Sequence, residues 1–120
     1  MLEMLVVDDE PRICECLAEF FSAKGFHVSS AATGEQAVDD LLAMAFDVVL
    51  IDIRLPGIGG IEVLKRAREL CPHAKAFMIS AWDHDELRTE ARAYGACGYI
   101  AKPFDFSDKT WASIFSDSSQ

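Results

Sequence analysis

The sequence lacks a long apolar run, and no stretch approaches the roughly 20 residues that a membrane-spanning helix needs. It begins Met-Leu-Glu-Met, without a basic region followed by a small-residue cleavage site, and we expect no signal peptide. Basic residues are scarce: 11 Lys and Arg stand against 20 Asp and Glu, a formal net charge of −9. Phosphate backbones and anionic lipids repel such a chain, so we expect no direct binding to nucleic acid or membranes.

Motifs for zinc and nucleotide binding are also missing. The cysteines are Cys14, Cys16, Cys71 and Cys97. None forms a Cys-x-x-Cys pair, and Cys14 and Cys16 lie two apart on a predicted helix, where their side chains diverge. We interpret all four as free thiols in a reducing cytoplasm. The glycines of the segment Leu55–Gly60 are not followed by the Lys-Ser/Thr of a P-loop, which indicates turn geometry instead.

Short apolar runs alternate with amphipathic patterns along the chain. The runs predict strands at Met4–Val7, Phe26–Ala31, Asp47–Ile51, Ala76–Ile79 and Tyr99–Ala101. Helical patterns lie between them, from Pro11 to Lys24, Thr33 to about Met44, about Ile61 to Leu70 and about Asp85 to Tyr94. A short fifth helix is expected around Trp111. This alternation predicts an α/β fold, a doubly wound parallel sheet in the order 2-1-3-4-5 with helices on both faces.

Polar residues follow the predicted strands at their carboxyl ends. They are Asp8, Asp9, Asp52, Ser80 and Lys102. Ligands of open α/β sheets bind beyond these ends, where the strand order reverses. Three carboxylates there repel each other unless a cation relieves the repulsion, and Mg²⁺ suits carboxylate and phosphate oxygens. A carboxylate beside such an ion and a lysine can attack phosphorus, which indicates a phosphoryl-transfer site.

Each of these residues also has an ordinary structural interpretation. Asp8 and Asp9 precede a helix and suit helix capping. Asp52 is also explained as a loop carboxylate, Lys102 as a surface lysine and Ser80 as a strand-end cap. Their joint occurrence at one edge of the predicted sheet favours the functional interpretation.

The chain resembles the receiver domain of two-component response regulators from about Met4 to at least Phe104. The resemblance is carried by the acidic pair of LVVDDEPRI, the aspartate of DVVLIDIRLPG, the serine of MISA and the segment GYIAKPF, in this order. It implies a flavodoxin-like five-stranded fold and a cytoplasmic phosphorylation switch. We interpret residues 1–116 as this domain and residues 117–120 as a tail or the start of a linker.

The resemblance also implies roles for the acidic residues. Asp52 matches the phosphoacceptor, which takes a phosphoryl group from a histidine kinase or a phosphotransfer protein. The expected cofactor is Mg²⁺ (or Mn²⁺), bound directly by Asp9 and Asp52, through water by Asp8, and by the main-chain carbonyl of Arg54.

The remaining motif residues match the parts that read out phosphorylation. Lys102, before an expected cis bond to Pro103, would pair with the phosphoryl group. Ser80 would donate a hydrogen bond to a phosphoryl oxygen, and Tyr99 would turn inward when Ser80 moves. The alternative for Tyr99 is a half-buried strand aromatic without a switching role.

The sequence departs from the family pattern at a few positions. Many members carry an acid where Gly59 stands, so we expect a slightly more flexible loop. Arg54 and Trp82 lie two residues beyond Asp52 and Ser80, at positions that tune phosphoryl lifetime in the family. We hypothesise that these two side chains shield the aspartyl phosphate from water.

The predicted function is a signalling switch rather than an enzyme that turns over small molecules. Its expected partners are a histidine kinase or phosphotransfer protein and an effector domain or target protein. A further expected partner is a second copy of the chain, which would bind through the fourth helix, fifth strand and fifth helix when the chain is phosphorylated. One alternative is an aspartate-nucleophile phosphatase, which usually needs a second acid where Arg54 stands. Another is a receiver-like module that binds partners without phosphorylation, which the complete residue set disfavours.

Overall fold

The computed structural model describes residues 2–81 and 85–115, in which strands and helices alternate as predicted. The strands are β1 (Leu2–Val7), β2 (Phe26–Ala31), β3 (Val48–Asp52), β4 (Lys75–Ser80) and β5 (Gly98–Ala101). The helices are α1 (Pro11–Ala23), α2 (Gly34–Ala43), α3 (Gly60–Leu70), α4 (Asp85–Ala93) and α5 (Asp108–Phe115). Trp82 and the predicted tail at 117–120 lie outside the described residues. Within the described ranges, no helix is both long enough and apolar enough to cross a bilayer.

All five strands pair in parallel in the order β2-β1-β3-β4-β5, which confirms the predicted topology. The register sets Val7 opposite Ile51, and Ile51 opposite Met78. The three central strands therefore end at nearly the same level. After β1 the chain passes to β2, on one side of the sheet, whereas after β3 it passes to β4, on the other side. This change of direction leaves a crevice at the carboxyl ends of β1 and β3.

Apolar side chains of the central strands point alternately to two cores. One core, under α2, α3 and α4, includes Leu5, Val7, Val49, Ile51 and Met78. The other, under α1 and α5, includes Met4, Val6, Leu50, Phe77 and Ile79. Burial on both faces explains why β3 is a continuous apolar run instead of an alternating one.

The short helix α5 is held mainly by Trp111. This side chain is fully buried, and its Nε1 donates to the main-chain oxygen of Asp105 at 2.7 Å. The rings of Phe21 and Phe104 lie 5.4 and 5.1 Å from it in edge-to-face contact. Aromatic packing of this kind compensates for the weak helical propensity of the segment.

Candidate functional site

The ammonium group of Lys102 contacts three carboxylates at the carboxyl end of the sheet. Its Nζ lies 2.8 Å from Asp8 Oδ2, 2.9 Å from Asp52 Oδ2 and 3.0 Å from Glu10 Oε1. Asp8 and Asp52 are buried, and the Lys102 side chain is only 10% exposed, whereas Glu10 lies at the rim. The structure therefore brings together three of the predicted site residues, Asp8, Asp52 and Lys102, and adds Glu10.

Both buried carboxylates are oriented by the turn that follows them. Asp8 comes directly after β1, and its Oδ1 accepts a hydrogen bond from the Glu10 amide at 2.9 Å. Asp52 is the last residue of β3, and its Oδ1 accepts from the Arg54 amide at 3.0 Å. Such turns are typical of aspartate, whose short side chain reaches the backbone two residues on. In each case Oδ2 is left to face Lys102.

The charges of the site influence each other strongly. Burial raises the pKa of Asp8, although the contacts with Lys102 and with the Glu10 amide oppose this, and the nearby Asp52 adds to it. Burial alone would lower the pKa of Lys102, but its contacts with Asp8, Asp52 and Glu10 outweigh burial and raise it above the usual value. Lys102 therefore stays a cation at neutral pH.

The acidic group fits a divalent cation. Carboxylate oxygens of Asp8, Glu10 and Asp52 lie within 4.8 Å of one another, and a single ammonium cannot balance three negative charges. Asp8 Oδ2 is buried and ion-paired with Lys102. Apart from this ion pair, no group among residues 2–81 and 85–115 donates a hydrogen bond to it. Hard cations such as Mg²⁺ prefer oxygen ligands of this kind.

Asp9, the expected direct ligand, is exposed and stands outside this group of three. It lines the open mouth of the site together with Glu10 and Arg54, whose side chain is also exposed. The residue that the sequence interpretation missed is Glu10. The sequence feature that points to Glu10 is its position as the third acid in a row, immediately before Pro11 at the start of α1.

Helix capping does not explain Asp8. The N-cap position of α1 belongs to Glu10, which makes no side-chain cap hydrogen bond. Asp8 does bind the amide of Glu10, but its second oxygen faces the buried ammonium group of Lys102. The structure therefore gives Asp8 an electrostatic environment that a helix cap does not require.

The two predicted switch residues lie beside the site on β4 and β5. Ser80, the last residue of β4, is fully buried, and its main-chain oxygen accepts from the Lys102 amide at 2.7 Å. Tyr99 is half-buried on the face covered by α4, and the Arg88 guanidinium lies 4.5 Å from the centre of its ring. The bond between Lys102 and Pro103 is cis, as predicted.

Known proteins resemble this chain along most of its length. The family described as response regulator receiver domain matches residues 4–110. Sporulation initiation phosphotransferase F of Bacillus subtilis is 34% identical over 106 residues, which are 88% of this chain and 86% of that protein. The transcriptional regulatory protein ZraR of Escherichia coli is also 34% identical, over 89% of this chain but only 24% of its own length.

A solved structure extends the similarity to the fold. The response regulator TrrA of Thermotoga maritima, in complex with Mg²⁺-BeF, is 32% identical and has a TM-score of 0.81. The match covers 95% of this chain and 97% of TrrA. The flavodoxin-like arrangement expected from the sequence is therefore confirmed.

Proposed function

The chain belongs to the response regulator receiver domain family, and we propose that it accepts a phosphoryl group on Asp52 from a histidine kinase or phosphotransfer protein. One observation carries this proposal: the buried Asp52 carboxylate lies 2.9 Å from the Lys102 ammonium and beside a second buried carboxylate, Asp8. A nucleophile for phosphorus needs nearby positive charge to receive the phosphoryl oxygens.

The proposed transfer step would use this geometry. An oxygen of Asp52 attacks the phosphorus of the partner's phosphohistidine. The new P–O bond forms as the P–N bond breaks, and the bonding electrons stay on the imidazole nitrogen that leaves. Lys102, held between Asp8 and Asp52, would neutralise phosphoryl oxygens, and the Ser80 hydroxyl would donate a hydrogen bond to them.

A divalent cation, Mg²⁺ or Mn²⁺, would be held by Asp8, Asp9, Asp52 and the main-chain carbonyl of Arg54. When bound, it would offset negative charge on the phosphoryl group. The excess of carboxylates over ammonium groups in the site supports this assignment, as does the similarity to TrrA, a response regulator solved with Mg²⁺-BeF. Glu10 lies close enough to the same oxygens to contribute.

Phosphorylation would act as a switch by shifting an equilibrium between two arrangements. Lys102 and Ser80 would contact the phosphoryl group, and a main-chain hydrogen bond already joins them. Tyr99 lies on β5, the strand that Lys102 follows. A change at Lys102 and Ser80 would therefore alter the conformation of the surface formed by α4, β5 and α5. We assign this surface to an effector domain, a target protein or a second copy of the chain.

The wider setting is proposed on the same basis. The receiver unit would extend over residues 1–116, with 117–120 as a tail or linker, and the protein would work in the cytoplasm. Its own chemistry would be phosphoryl acceptance and slow self-hydrolysis, without turnover of small molecules. The chain corresponds to about a quarter of the length of ZraR. In a longer protein of this type, a separate output domain would carry the response.

Labelling with acetyl phosphate and MgCl₂ tests the proposal. We expect the wild-type chain to gain the mass of one phosphoryl group and Asp52→Asn to gain none. Asp39→Asn is the matched control, because Asp39 is an exposed acid on α2 outside the site. Equal labelling of wild type and Asp52→Asn would refute the assignment.

A further inference from the structure

The loop between β3 and α3, residues 53–59, is held by a side chain from α2. Glu35 Oε2 accepts a hydrogen bond from the Ile58 amide at 3.3 Å. Gly57 in the same loop has a positive φ of 75°, and a Cβ atom there would collide with the Glu35 carboxylate. A Cβ atom at Gly34 would likewise collide with Ile58. The two glycines therefore allow α2 and the loop to approach closely.

The start of α2, which carries Glu35, is itself held by hydrogen bonds. The N-cap Thr33 accepts a hydrogen bond at its Oγ1 from the Gln36 amide at 3.1 Å, and Gln36 Oε1 accepts from the amide of Ala32, the residue before the N-cap, at 3.2 Å. One residue earlier, the main-chain oxygen of Ala31 accepts from the Asp8 amide at 3.0 Å. The start of α2 is thus connected to Asp8 on one side and to the loop on the other.

The loop begins at the phosphoacceptor side of the site. Arg54 donates its amide to Asp52 Oδ1, and the amide of Gly60 closes the loop on the Ile53 oxygen at 3.0 Å. Gly59, at the position where many family members have an acid, leaves the loop without that side chain. The hydrogen bond to Glu35 ties the loop to α2 at Ile58, one residue before Gly59.

We propose that Glu35 is a positioning residue for the divalent cation, because it fixes the loop that presents the main-chain carbonyl of Arg54. The inference rests on the proposed function, in which that carbonyl is a ligand. Glu35 acts through the loop and does not itself bind the cation. Residues that hold a metal ligand in position, without binding the metal themselves, commonly affect metal affinity in this way.

Two substitutions separate the reach of Glu35 from its charge. Glu35→Asp keeps the charge but is one methylene too short to meet the Ile58 amide, whereas Glu35→Gln keeps an acceptor oxygen at full length. Isothermal titration of the whole chain with MgCl₂ should show a dissociation constant about tenfold higher for Glu35→Asp. Glu35→Gln should bind like wild type. The matched control is Glu62→Gln, which removes an exposed first-turn acid from α3.

Amide hydrogen exchange without metal gives a second readout. The Ile58 amide should be protected in wild type and in Glu35→Gln, and it should exchange faster in Glu35→Asp. An unprotected Ile58 amide in the wild type would overturn the inference without any variant. So would weaker binding by Glu35→Gln combined with normal binding by Glu35→Asp, because charge alone would then explain the effect.

The outcomes also separate this inference from the proposed function. If wild type binds Mg²⁺ and Asp52→Asn does not, but Glu35→Asp binds like wild type, only the role of Glu35 is refuted. If wild type binds no Mg²⁺, or Asp52→Asn binds it equally well, the proposed metal site is wrong and the inference fails with it.

Discussion

Lys102 Nζ lies 2.9 Å from Asp52 Oδ2, although 50 positions separate the two residues along the chain. The parallel sheet accounts for the contact, because Asp52 ends β3, Lys102 follows β5, and β4 lies between those strands. The same edge holds Asp8 after β1. Folding of the sheet therefore brings the charges of Lys102, Asp8 and Asp52 together from separate strands, and the charge of each group affects the other two.

Removal of the ammonium group should destabilise the domain when no cation is present. In Lys102→Gln, the buried carboxylates of Asp8 and Asp52 lose their counter-ion, and we expect the free energy of unfolding to fall by about 3 kcal/mol. Urea denaturation checks this, with Lys109→Gln, an exposed lysine of α5, as the control. Added MgCl₂ should restore part of the loss, and an equal loss with and without MgCl₂ would contradict the account.

Asp9 and Glu10 compete for the role of third acidic ligand. The family resemblance implies Asp9, although the structure places Glu10 closer to Asp8 and Asp52. We expect Asp9→Asn to weaken Mg²⁺ binding by about tenfold or more, and Glu10→Gln to weaken it less. Calorimetric titration distinguishes them, and the reverse order would show that Glu10 takes the place assigned to Asp9.

Asp105 gives the start of α5 a pH dependence. Hydrogen bonds from Thr110 and Ser107 lower its pKa from 3.8 to about 2. The folded state therefore favours the ionised carboxylate, so the stabilisation is complete above about pH 4 and is lost as the pH falls towards 2.

The variant Asp105→Asn isolates this effect. Its deficit in unfolding free energy relative to wild type should be larger at about pH 5 than at about pH 2.5, as measured by urea denaturation. The exposed Asp39→Asn serves as the charge control. A deficit that does not change with pH would mean that the hydrogen bonds do not depend on the charge of Asp105.

The sequence was sufficient to predict the sheet and the convergence of Asp8, Asp52 and Lys102. Continuous apolar runs such as β3 indicate strands buried on both faces, and parallel strands end at one edge, so the residues after them must meet there. The cis bond before Pro103 followed from the family pattern. These features depend on local pattern and on chain connection.

The remaining contacts depend on how side chains are directed after folding. Glu10 reaches Lys102 because the turn at Asp8 orients it, and a run of three acids does not reveal which one turns inward. Glu35 accepts a hydrogen bond from the Ile58 amide across 23 positions, and this contact at the surface leaves no pattern in the sequence. The burial of Trp111 stabilises α5 through tertiary packing, which helix propensity does not capture.

The most direct test of the central claim is the position of the phosphoryl group. The chain is phosphorylated by a histidine kinase or by acetyl phosphate in MgCl₂, digested, and mapped by mass spectrometry. The account predicts that the phosphoryl group lies on the peptide containing Asp52 and disappears when the cation is chelated beforehand. Its appearance on any other residue, or equal labelling in the presence of the chelator, would contradict the account.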